Sequence, residues 1–262
     1  MQNHPIYITD WGDLDLALPL ANKYQVGLEV QEFTSPRDLE TSNLLRNEII
    51  EMTKDLAHLS MHGPFSDLIP ASRDQLIRQA TLERFRQACE VAQQIGTEHL
   101  ILHSGFIPKT YPGELWLSNS LAFWTEFLST TRYEGKIHVE NVYEDSFTNL
   151  RELIDQVNLA LNRERITICL DIGHVNSNSS KTLEEWISGL GDRICYVHLH
   201  NNGGSLDDHW RLDKGTIQVE GVLDWLARHA PRAVWTVETP VEDLDPSLMW
   251  LQERGYLPAL EA

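Results

Sequence analysis

The stretch ITICLDIGH, residues 166–174, runs five apolar or β-branched residues into Asp171, and His174 follows three positions later. A short run of this composition reads as a strand. Outward from it the same unit recurs. On the C-terminal side come ICYVHLHN (194–201) and AVWTVET (233–239). On the N-terminal side come KIHVEN (136–141), HLILHSG (99–105), AHLSMHG (57–63), GLEVQEF (27–33) and IYIT (6–9). Between these runs lie longer segments with helical spacing of apolar residues, such as LRNEIIEMTKDL, RDQLIRQATLERFRQACEVAQQIG, SFTNLRELIDQVNLAL, TLEEWISGL and EGVLDWLARH. Alternating strands and helices imply a parallel sheet in an α/β chain. Eight such units in 262 residues match the size of a single-domain (β/α)8 barrel spanning residues 1–262. A doubly wound open sheet is the competing architecture. It would carry fewer strands, and often a Gly-rich phosphate turn that this sequence lacks.

A parallel barrel places its active site at the C-terminal ends of the strands. Here the third run ends at His62, the fourth at His103, the fifth at Glu140 and the sixth at Asp171, with His174 just beyond. The seventh carries His198, and the eighth ends at Glu238. The loop after the seventh, within VHLHNNGGSLDDHWRLDKG (197–215), adds Asp207 and His209. Gly203 and Gly204 give that loop the backbone freedom to fold back over the mouth. Each residue alone could be a satisfied structural group. Together they are all of metal-ligating type, with no Lys or Arg among them. Carboxylates and imidazoles converging without cations would stay unpaired unless a cation sits between them. Imidazole and carboxylate without thiolate suit zinc, manganese, cobalt or iron better than calcium. Nine donors exceed one tetrahedral ion and suit two or three bridged ions. A site of that kind activates water and clamps a phosphoryl group.

The bulk numbers narrow the partners. Asp and Glu total 39 against 21 Lys and Arg, a formal charge of −18. Such a field repels polyanions, which makes long nucleic acid a poor substrate and a small molecule the better expectation. The apolar fraction of 42% and charged fraction of 23% are those of a globular protein. No apolar run is long enough to span a membrane, and the first residues do not read as a signal peptide. Cys89, Cys169 and Cys195 form no CxxC, and two of them lie in apolar runs, as buried thiols in a reducing cytoplasm would. Trp124, Trp186 and Trp225 on expected helices leave room for a buried interface, so the oligomeric state is open.

The motifs SMHGPF (60–65), LHSG (102–105), VEN (139–141), LDIGH (170–174), VHLHN (197–201), DDHWRLDKG (207–215) and VETP (237–240) resemble the xylose-isomerase-like TIM-barrel superfamily, which joins endonuclease IV with sugar isomerases and epimerases. The resemblance runs from about residue 6 to 240. Against the endonuclease IV pattern, all nine positions are filled: His62, His103, Glu140, Asp171, His174, His198, Asp207, His209 and Glu238. The resemblance implies three zinc ions on this set, with Glu140 bridging two. His200 falls where no ligand is required, and Asp208 and Asp213 read as solvated loop residues. FTSPR (33–37) resembles a loop whose Arg reaches nucleic acid, and Phe65 holds an aromatic position at the rim. The chain departs from endonuclease IV in its charge and in Asp213-Lys214-Gly215, where that family often has Gly-Glu-Gly.

Two enzymatic functions follow from the resemblance. The ligand count favours a metal-dependent hydrolase of a small phosphate ester or phosphodiester, a cofactor-type substrate included. The alternative is a sugar or sugar-phosphate isomerase or epimerase with one divalent ion, often manganese or cobalt, on Glu140, Asp171, His198 and Glu238. There the two glutamates would exchange protons beside a polarised carbonyl. The candidate catalytic residues are Glu140, Glu238 and His174. A non-catalytic metal-binding barrel and true abasic-site cleavage complete the expectations. Arg37, Arg73, Lys109, Arg211 and Lys214 gathered at the rim would speak for a polyanion.

Overall fold

The computed structural model describes residues 4–40 and 43–259. Eight strands close into one parallel barrel in sequence order: β1 (Ile6–Thr9), β2 (Gly27–Val30), β3 (Leu59–His62), β4 (His99–His103), β5 (Lys136–Glu140), β6 (Ile166–Asp171), β7 (Ile194–Leu199) and β8 (Val234–Val237). The seam is the β1–β8 pair, with Ile6 opposite Trp235 and Ile8 opposite Val237. Helices α1 (Leu14–Tyr24), α2 (Asn43–Thr53), α3 (Gln75–Ile95), α4 (Gly113–Thr130) and α5 (Thr148–Ala160) follow the first five strands. Two helices, α6 (Ile172–Asn178) and α7 (Leu183–Leu190), follow β6, and α8 (Val219–His229) and α9 (Val241–Glu253) follow β7 and β8. The α/β barrel expected from the strand–helix rhythm is the fold. No helix among the described residues is long and apolar enough to cross a membrane.

Helix boundaries follow local chemistry. Asp74 caps α3 by accepting the Leu76 amide at 2.8 Å, and Gly96 ends it with φ +80. Thr182 and Glu185 form a capping box at the start of α7. The apolar stripes of the helices pack on the outer strand face, with Trp116, Phe123, Trp124, Phe127 and Trp186 fully buried there. Trp124 and Trp186 are therefore spent on this core.

The inner face of the barrel is different. A strand alternates its side chains, and the inward set includes Tyr7, Ile101, Cys169, Tyr196 and Val234, which form a small separate cluster. Polar residues share that interior. His138 Nε2 lies 2.8 Å from His99 Nδ1, and His138 Nδ1 lies 2.7 Å from Thr167 Oγ1. A side chain at Gly27 would overlap the Tyr7 ring, so the glycine makes room for that tyrosine. Above this floor the same inward register continues into His62, His103, Glu140, Asp171 and His198. The barrel thus carries its candidate chemistry on the same strand faces that fill its core.

Candidate metal centre and active site

A cavity of about 820 Å³ opens at the C-terminal ends of the strands. At its base four buried side chains from four strand ends meet. His198 Nδ1 is 3.2 Å from Glu140 Oε1, 3.2 Å from Glu238 Oε2 and 3.8 Å from Asp171 Oδ2. The other Glu140 oxygen faces a second group: Oε2 is 3.2 Å from His62 Nε2 and 3.4 Å from His103 Nε2. A third group lies nearer the mouth. Asp207 Oδ2 is 3.0 Å from His174 Nε2 and 3.1 Å from His209 Nε2. All nine residues expected from the sequence are brought together, in three donor groups that could each hold an ion.

The loop after β7 reaches the site because it folds back on itself. Asn201 and Trp210 exchange backbone hydrogen bonds of 2.8 and 2.7 Å, forming a small antiparallel bridge. The Asn201 side-chain amide donates to the carbonyls of Leu212 and Ile217 and pins the return. Gly204 takes φ +82 and His209 takes φ +50 within this turn. Asp208 stays at the loop edge, and Asp213 pairs with Arg211.

The hydrogen bonds of the imidazoles test whether a cation fits. A backbone carbonyl only accepts, so each ring facing one must donate. His62 Nδ1 donates to Gly63 at 2.8 Å, His174 Nδ1 to Asn141 at 2.7 Å and His209 Nδ1 to Glu238 at 3.1 Å. In the neutral ring this leaves Nε2 as a lone pair aimed at a carboxylate oxygen. Two lone pairs at about 3 Å repel unless a proton or a cation lies between them. Burial disfavours the charged ring, yet the carboxylates outweigh it. They hold His62 and His174 above the usual imidazole range, hold His198 there together with the Cys169 sulfur, and raise His209 to about 9. On the other side of these pairs burial is again outweighed, and the histidines pull Asp171 down to about 2 and Glu140 below its usual range. His103 is the exception: burial takes it to about 3, a neutral donor ring. A divalent ion would replace these protons. Donor atoms around tetrahedral zinc, with bonds of about 2.0–2.1 Å, stand about 3.3 Å apart. The closest donor separations here, 3.0–3.4 Å, match that spacing.

Supporting residues fix the donors, and several were not singled out from the sequence. Glu29 lies inside the barrel with Oε2 3.1 Å from His198 Nε2, and it accepts the Tyr196 hydroxyl at 2.7 Å. Gln31 donates to Glu238 Oε1 at 2.7 Å. Asn141 donates to the Asp171 carbonyl at 3.0 Å and accepts the Asp171 amide at 2.9 Å. Asp171 itself accepts the His174 amide at 2.6 Å as the cap of α6. His200, read from the sequence as a position where no ligand is required, holds both Asp171 oxygens at 3.1 Å and stacks on His209 with ring centres 3.8 Å apart. A signal for Glu29 was present: a carboxylate between Leu28 and Val30 in an otherwise apolar strand.

At the rim Phe65 takes the expected aromatic position and stacks on His103 at 4.4 Å. Among the described residues no Lys or Arg lines the cavity. Arg37, Arg73, Lys109, Arg211 and Lys214 are therefore not gathered around its wall.

The xylose isomerase-like TIM barrel family model matches residues 25–260. The chain belongs to that family. An uncharacterised protein of Methanocaldococcus jannaschii is 28% identical over 230 residues, covering 82% of this chain and 73% of the relative. Among solved structures, a D-tagatose 3-epimerase-like protein has a TM-score of 0.75 at 22% identity, covering 95% of this chain and 96% of that one. A Thermus thermophilus protein soaked with zinc chloride has a TM-score of 0.77 at 24% identity, covering 96% and 98%. A D-allulose 3-epimerase from Methylomonas sp. in complex with D-allulose has a TM-score of 0.71 at 16% identity, covering 95% and 90%. At these identities what is shared is the barrel itself.

Proposed function

We propose that this family member is a divalent-metal-dependent sugar isomerase or epimerase, with Glu140, Asp171, His198 and Glu238 as its principal metal ligands. The observation that carries the proposal is the meeting of these four buried side chains at the cavity base, with Glu140 and Glu238 both 3.2 Å from His198 Nδ1. The names of the similar folds, D-tagatose 3-epimerase-like and D-allulose 3-epimerase, support this chemistry over the phosphoester hydrolysis that the ligand count favours. When bound, the ion polarises the substrate carbonyl and a neighbouring hydroxyl. One of the two glutamates takes the proton from the carbon beside that carbonyl, and the other returns a proton, to the opposite face of the same carbon in epimerisation or to the former carbonyl carbon in isomerisation. Gln31 fixes the Glu238 carboxylate through its 2.7 Å hydrogen bond. Glu140 and Glu238 are the catalytic pair, and His174 is a substrate contact at the cavity wall.

A second reading rests on a specific observation. The His62–His103 and His174–Asp207–His209 groups flank the principal site, and the two Glu140 oxygens face different donors. That arrangement supports two or three zinc ions and hydrolysis of a small phosphate ester. Metal analysis of protein purified without chelator, with parallel ketose and phosphodiester panels, separates the two. One manganese or cobalt ion per chain with ketose interconversion supports the isomerase. Two or three zinc ions with phosphoester cleavage overturn it.

A further inference from the structure

The cavity above the donor groups has an apolar outer wall. Trp11, Phe65, Ile107 and Tyr143 come from the loops after β1, β3, β4 and β5, and all four line it. Each is 37–51% exposed, although large apolar side chains gain by burial. Four such residues converging from four loops on one concavity mark a binding surface rather than scattered surface hydrophobes.

Two of these side chains, Phe65 and Trp11, are held in place. The Phe65 amide donates to the Thr34 carbonyl at 3.0 Å, and its ring rests on His103. Trp11 sits at φ +53 in a turn tied by Gly12 N–H donating to buried Asp10, and its ring meets the edge of His209 at 4.9 Å. The apolar wall therefore begins where the imidazoles end.

Charge and size narrow the ligand further. The lining carries Asp67, Asp207, Glu140 and Glu238 and, among the described residues, no Lys or Arg. A phosphate held away from the donor groups would find no counter-charge there and would face Asp67. The volume of about 820 Å³ lies toward the upper part of the roughly 300–1,000 Å³ typical of ligand pockets. That leaves room for a group beyond one sugar ring.

We infer that the substrate is an uncharged polyol or sugar carrying an apolar, ring-sized substituent. The polar part sits over the donor groups and the substituent packs between Trp11, Phe65, Ile107 and Tyr143. This assignment deepens the isomerase reading and rests on it for the polar end alone.

The test is calorimetric titration of the metal-loaded protein with methyl β-D-glucopyranoside, 4-nitrophenyl β-D-glucopyranoside, D-fructose and D-fructose 6-phosphate. The nitrophenyl glucoside binds tighter than the methyl glucoside by about tenfold or more. Fructose 6-phosphate binds no tighter than fructose. Phe65→Ala and Tyr143→Ala each lower the ratio of nitrophenyl to methyl glucoside affinity, and an unchanged ratio in both overturns the assignment of the substituent to this wall. Equal affinities for the two glucosides, or a tighter grip on the phosphate, overturn the inference. Ketose turnover is measured on the same preparation. Turnover without nitrophenyl preference removes the inference and leaves the isomerase reading standing. Nitrophenyl preference with no ketose turnover does the reverse.

Discussion

His198 Nε2 and Glu29 Oε2 lie 3.1 Å apart, both fully buried on the side of the ring away from the cavity. A carboxylate there keeps the Nε2 proton on the ring and leaves Nδ1 as the donor facing Glu140 and Glu238. It also makes the imidazole more basic toward a cation. Replacing Glu29 with Gln keeps the size and removes the charge. Metal affinity is expected to fall by about tenfold to a hundredfold, the usual cost of losing such a partner. Chelator competition on the folded variant reads this directly, and the spectrum of the cobalt-loaded protein reports the change in the donor. An unchanged affinity would mean that Glu29 only fills the barrel.

The donor groups are unequal if the isomerase reading holds. His198→Ala should lose the ion and all turnover. His62→Ala and Asp207→Ala should keep ketose interconversion within about tenfold, or about 1.4 kcal/mol in the barrier. The check is kcat/KM together with metal content for each variant. A collapse in both with His62→Ala would assign the second donor group to the chemistry.

Gly173 lies under the His200 ring, and a Cβ there would overlap that ring. Both neighbours are buried, so the ring has nowhere to go without releasing Asp171. Gly173→Ala is expected to cost about 1–3 kcal/mol, in the range for overpacking a core. Adding His200→Ala should recover part of that loss by removing the obstructing ring. Urea unfolding of the two single variants and the double variant measures the coupling, and purely additive losses would refute the clash.

The barrel floor predicts a pH dependence. Burial, aided by Lys136, takes His99 down to about 4. Its unfolded value is about 6.5. The unfolded chain therefore binds the proton first as the pH falls. Stability from this group is complete above about pH 6.5 and is lost progressively toward pH 4. Between pH 8 and pH 5 the loss is about 2 kcal/mol. Metal-free wild type and His99→Gln, unfolded in urea at both pH values, should differ in their drop by that amount. Equal drops would count against it.

Burial also raises the Cys89 thiol to about 12, and Cys169 and Cys195 lie above their usual range for the same reason. All three are free and buried. The native protein should resist maleimide at pH 8 and take up three equivalents once unfolded, as mass spectrometry would show. Rapid labelling of the folded chain would point to local opening.

Much of this was legible in the sequence because a barrel converts strand ends into a site. His62, His103, Glu140 and Asp171 each close a strand, and reading the strand ends together with the segments just beyond β6, β7 and β8 gave the nine residues that the fold brings together. Strand lengths were less legible. GLEVQEF reads as one run, but the ladder stops at Val30 because the Gln31 amide turns to Asp10, at 3.0 Å. Phe33 is fully buried beyond the strand, so its hydrophobicity extends the pattern without extending the pairing. Glu29 was passed over, and His200 was read as a position needing no ligand without its hold on Asp171 being seen, because their partners stand 169 and 29 positions away. Local pattern marks Glu29 as a carboxylate in an apolar strand but does not name the partner of either residue. The reaction class was the least legible, since the same nine side chains serve one ion or three.

Asp171 ends β6, caps α6 through the His174 amide and offers its carboxylate to the site. These duties share one side chain, so they cannot drift apart. A lineage abandoning the reaction could not discard this residue freely, because Ala there also uncaps the helix. Asparagine would keep the cap while surrendering the charge. A sister sequence with Asn at this position would thus be the signature of a retired enzyme that still keeps its shape.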